Sequence, residues 1–105
     1  MTTFDKREEG FERKFALDEE LKFKAEARRN RLLGLWAAEK LGITGDAAVG
    51  YANETVASAF AEGGEKAIVA RVAADLSAKG VMEDAIRAQM TELMVMAIAQ
   101  VRAGK

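Results

Sequence analysis

Three arginines, Arg28, Arg29 and Arg31, stand close together, five residues ahead of the only tryptophan, Trp36. A guanidinium presents a planar fork of donors that matches a carboxylate or a phosphate, so the cluster suits an anion-binding or partner-docking patch. The same residues also suit a solvated helix face laced with intrahelical pairs such as Glu26 to Arg29. Residue types alone leave both readings open. Other reactive groups are missing: the 105 residues contain no cysteine and no histidine. That removes thiolate nucleophiles, imidazole bases and the usual transition-metal ligands, leaving only an all-oxygen metal site. Asp18, Glu19 and Glu20 read as exposed charge without catalytic spacing, and Asp75 with Glu83 and Asp84 suits helix ends. There is no GxxxxGK phosphate loop and no GxGxxG turn, and Gly63-Gly64 reads as a break between helices. No catalytic, metal-binding or cofactor-binding residue is assigned, and the chain is not expected to be an enzyme. Weak binding of an adenine nucleotide by the arginines stays open.

A second set of residues suits binding. Phe4, Phe11 and Phe15, spaced seven and four apart, fall within roughly 40° of one another on a helix. Leu17, Leu21, Ala25, Leu32 and Trp36 form another stripe, rotated from the first by about 90°. The two stripes cannot face one surface squarely. Charged residues Asp5, Lys6, Arg7, Glu8, Glu9, Glu12, Arg13 and Lys14 surround the phenylalanines, and Gly10 weakens the helix among them. An isolated helix of this length is marginal in water, so a mobile amphipathic segment is expected that a partner groove would order.

Composition bounds the rest. With 50% hydrophobic and 31% charged residues, the chain fits one soluble domain plus a tail. Sixteen basic against 17 acidic side chains give a net charge of -1, which argues against a polyanion binder and hence against nucleic acid. No apolar run resembles a signal-peptide core or approaches the length of a bilayer span, so a cytoplasmic protein without direct membrane insertion is expected. With no histidine, any activity should vary only weakly between about pH 6 and 8.

The elements that must position these residues are all helical. Leu41-Gly42 reads as a helix stop with Gly42 left-handed. Thr44 is expected to cap the next helix, with Asp46 in its first turn. Tyr51, Ala52, Thr55, Val56, Ala59 and Phe60 share one side of that helix, and Gly50 either weakens it or permits a close crossing. Ile68, Val69, Val72, Ala73 and Leu76 mark a third helix; Ile86, Met90, Leu93, Met94, Ala97 and Val101 mark a fourth. The spacing predicts an all-α four-helix bundle with helices near 18–41, 46–62, 65–79 and 82–102. Because Leu93 to Ala99 is apolar all round, the fourth is expected to be central and most buried, its methionines filling gaps in the core.

Four stretches carry a resemblance: Thr2-Thr-Phe-Asp5, Phe11-Glu-Arg-Lys-Phe-Ala16, Asp18-Glu-Glu-Leu-Lys-Phe-Lys24 and Ala27-Arg-Arg-Asn-Arg-Leu-Leu-Gly-Leu-Trp-Ala-Ala38. Together they resemble the zeta subunit of alphaproteobacterial F-type ATP synthases. The resemblance implies a four-helix bundle, residues 18–105, preceded by an inhibitory segment, residues 1–17. That segment would block ATP hydrolysis by entering an interface between catalytic-head and rotor subunits, with Phe4, Asp5, Arg7, Glu8, Phe11, Lys14 and Phe15 touching the partner. It also implies a protein that is a monomer when free and sits in the cytoplasm, peripheral to the inner membrane through the ATP synthase. A helical interaction module or a nucleotide-sensing module acting on another partner would use the same stripe or the same arginines.

Overall fold

A computed structural model describes residues 19–60 and 62–104 of the chain. The expectations for residues 1–17, including their mobility and the partner contacts of Phe4, Asp5, Arg7, Glu8, Phe11, Lys14 and Phe15, lie outside the described residues. Within them the fold is an all-α four-helix bundle: α1 Glu19–Leu41, α2 Gly45–Ser58, α3 Gly64–Leu76 and α4 Glu83–Arg102, with a 3-10 turn at Ser77–Lys79.

Charge and glycine set the helix ends. Lys40 stands in the last turn of α1, favourable toward the helix dipole. Gly42 then takes φ 76, its N–H donating to the Glu39 carbonyl at 3.1 Å while the Ile43 N–H reaches the Ala38 carbonyl at 2.9 Å. This paired reverse turn satisfies carbonyls that the helix itself leaves open. The stop expected at Leu41-Gly42 is therefore present. Thr44 occupies the N-cap position of α2 in extended backbone, but its hydroxyl makes no capping bond, contrary to expectation. α2 also ends at Ser58 instead of near 62, because the backbone tightens: Ala59 and Phe60 donate to the Val56 and Ala57 carbonyls at 3.1 Å.

Leu33 and Ala37 of α1, Ile68, Val69, Val72 and Leu76 of α3, and Ile86, Met90 and Leu93 of α4 form the buried cluster. Leu32 and Trp36 pack at its margin. Leu33 and Ala37 thus take the place in the core expected of Leu32 and Trp36, one residue further along α1, while Ala25 of the expected stripe is fully buried. The helix expected at the centre is also corrected. Val95 and Met96 of α4 are 69% and 49% exposed, whereas α1 packs against all three other helices. An all-apolar run of alanine and methionine marks the centre poorly, since burial depends on which helix has neighbours on several sides.

Small residues give α1 that place. A Cβ on Gly34 would lie 2.6 Å from the Ala52 Cα and 2.8 Å from the Thr55 hydroxyl. Gly34 is therefore where α2 crosses closely, and Ala37 and Ala38 continue the thin surface of α1. Gly50, by contrast, has no atom within 4 Å of such a Cβ, so it merely lowers helix propensity. Gly34→Ala should destabilise the fold by about 1–3 kcal/mol, because backbone must shift to make room. Gly50→Ala should stabilise it by roughly 0.5–1 kcal/mol through propensity alone. Denaturant unfolding of the two variants should give opposite signs.

Candidate functional site

Helical phase decides what the arginine cluster can do. Lys24, Arg28 and Arg31 recur at spacings of four and three, which place them within roughly 60° of one another on α1. Arg29 points about 100° away from Arg28. The structure accordingly divides the cluster between two tasks.

Arg29 holds the bundle together. Its side chain is 12% exposed and its Nη1 lies 3.8 Å from Glu65 in the first turn of α3. Its Nε and Nη2 donate to the Asn30 side-chain Oδ1 at 3.2 and 3.0 Å, so the buried amide has an acceptor bond satisfied. The expected Glu26–Arg29 pair is replaced by this contact between helices, because Arg29 faces α3. Trp36 likewise receives its cation from Lys40, whose Nζ sits 5.7 Å from the ring centroid, and not from the arginines.

Lys24, Arg28 and Arg31 instead line an open groove of about 560 Å³ together with Ala27. Asn53 and Val56 of α2 and Val101 of α4 complete it. Arg28 donates from Nη1 to the Gln100 side-chain oxygen at 3.3 Å, a neutral partner, and no carboxylate among the described residues pairs with it. Lys24 pairs with Glu20 at 3.2 Å, both well exposed, where such a pair contributes little. The groove wall is therefore apolar with a basic rim. It can accept an anionic group, and it carries no acid, base or nucleophile for catalysis.

A second polar cluster joins α2 to α3, and only packing reveals it. The Tyr51 hydroxyl donates to the Asp75 carboxylate at 2.6 Å, and Arg71 lies over the Tyr51 ring at 5.2 Å from its centroid. Arg71 also donates to Glu54 at 2.7 Å and to the Ser58 hydroxyl at 3.0 Å. Asp75 stands at a helix end as expected, one residue before the last of α3, and is also the acceptor where α2 and α3 cross. No periodicity signals this cluster, since its members come from two helices. Among the described residues, no group of three or more acidic side chains is placed to hold a metal ion, and no helix is long and apolar enough to cross a membrane.

Burial, reinforced by the bond to the Asp75 carboxylate, pushes the Tyr51 phenol well above its ordinary value. The unfolded phenol ionises near pH 10, so this contribution to stability is complete below about pH 10 and is lost as pH rises toward the folded value. Tyr51 is the only tyrosine, so phenolate absorbance reports it directly. The native chain should ionise at higher pH than the chain in denaturant, and Tyr51→Phe should lose part of the alkaline fall in melting temperature. Coincident native and denatured titrations would contradict the assignment.

Comparison with known proteins follows the same lines. The family model described as ATPase inhibitor subunit zeta matches residues 1–100. A protein solved in solution by NMR is 45% identical, with the match covering 81% of this chain and 99% of that one at a TM-score of 0.72. No curated protein matches the chain.

Proposed function

The chain belongs to the ATPase inhibitor subunit zeta family, and from that premise we propose that it restrains ATP hydrolysis by an F-type ATP synthase through its N-terminal segment. In this reading Phe4, Phe11 and Phe15 enter an apolar site between catalytic-head and rotor subunits, flanked by Asp5, Arg7, Glu8 and Lys14. The bundle from α1 onward holds that segment at the complex. A chain of this family inhibits the ATPase and is not itself the enzyme.

The observation that carries the reading is the extent of the family match, which covers the phenylalanine segment and the bundle together. One feature of the described residues supports it: their buried cluster is built from Leu33 and Ala37 of α1 with residues of α3 and α4.

Deleting residues 2–16 should abolish inhibition of ATP hydrolysis by the cognate head while leaving the helicity and melting of the bundle unchanged. Replacing Phe11 and Phe15 together by alanine should weaken partner affinity by about 3–6 kcal/mol, more than a hundredfold. Reversing Glu8 and Glu9 should act more weakly and fade as salt is raised. If the deleted chain inhibits as well as the whole one, the segment is not the inhibitory element.

A further inference from the structure

Beyond the N-terminal segment, the body of the protein carries a surface with the composition of an interface core. Phe23 and Phe60 are 63% and 75% exposed, unusual for phenylalanine in a small soluble bundle. Phe23 lies eleven residues before Gly34, which returns it to within roughly 20° of the same azimuth, on the side of α1 that faces α2. Yet α2 ends at Ser58, and Gly34 meets it at Ala52 and Thr55. In this antiparallel arrangement α1 runs on past the end of α2, so the α1–α2 contact surface continues at Phe23 beyond the reach of α2. Phe60 follows the same end of α2, four residues after Val56, which lines the groove.

The groove supplies charge of one sign beside these rings. Lys24, Arg28 and Arg31 line it, and none of its lining residues is acidic. Among the described residues no carboxylate pairs with Arg28 or Arg31. We infer that Phe23, Phe60 and this basic groove form a second docking face, which takes an acidic amphipathic helix of the same partner complex. Its apolar stripe lies on Phe23, Val56 and Phe60, and its carboxylates take the guanidinium forks of Arg28 and Arg31. Nucleic acid fits less well, since a chain of net charge -1 has no extended positive field to draw a polyanion. The inference rests on the inhibitor reading for the identity of the complex, but the face itself can be tested separately.

The test uses the isotope-labelled full-length chain and a synthetic helical peptide of leucine and glutamate, with a leucine–lysine peptide as control. The acidic peptide should saturate shifts confined to amides near Phe23 to Arg31, Asn53 to Phe60 and Val101; the basic one should not. Lys24→Glu with Arg31→Glu should weaken the acidic peptide by about tenfold or more, and Phe23→Ala with Phe60→Ala by a similar factor. These side chains are exposed or rim the groove, so melting should confirm an intact bundle. With the cognate ATPase head, Lys24→Glu with Arg31→Glu should weaken binding about tenfold yet leave full inhibition at saturation, unlike the Phe11 and Phe15 variant. Peptide binding with no binding to the head would uphold the face and overturn the inhibitor reading. The docking face is overturned if the acidic peptide leaves these amides unmoved, if pyrophosphate alone shifts them, or if the chain dimerises through the two phenylalanines.

Discussion

The close approach of α1 to α2 at Gly34 is the contact on which the arrangement depends. With no side chain at that position, the Ala52 backbone and the Thr55 side chain come nearer than any Cβ would allow. Thr55, fully buried, can sit there because its hydroxyl donates to the Tyr51 carbonyl at 2.9 Å and leaves no polar atom stranded. Placing α2 on that side leaves Leu33 and Ala37 free for α3 and α4. α1 thereby becomes the axis of the bundle, although α4 has the more continuous apolar run.

The same geometry organises charge. A helix that is touched on several sides must sort its polar residues by azimuth, and neighbouring positions in sequence separate by about 100°. Arg29 therefore turns inward to Asn30 and Glu65, while Arg28 and Arg31 join Lys24 on the groove. One arginine contributes to holding α3 in place, and the other two line the groove, where Arg28 also donates to Gln100 of α4. Replacing all three together would confuse fold and binding, whereas Lys24 and Arg31 can be changed without touching a contact between helices.

Most polar links between helices join pairs that are distant in sequence. Arg71 reaches Glu54 and Ser58, Tyr51 reaches Asp75, and Arg28 reaches Gln100. Each has at least one partially exposed member, so each acts more to fix register than to add bulk stability. The apolar cluster supplies the driving force, and these bonds select which antiparallel alignment it adopts.

Much of this protein was legible in its sequence, because helix periodicity and glycine stops are local. The Gly42 stop, the faces of α3 and α4 and the all-α bundle all follow from residues within one or two turns of each other. The absence of cysteine and histidine likewise excluded whole classes of chemistry before any fold was known. Other features were decided only by tertiary structure. Gly34 and Gly50 look alike along the chain, yet only Gly34 faces a neighbouring helix. Arg29 and Arg31 look like one cluster, yet they serve opposite sides of α1. The Tyr51–Asp75 bond and the exposed Phe23 also depend on where a second helix lies or ends. Local pattern fixes which way a residue points on its own helix, but what it meets there depends on packing among segments far apart in the chain.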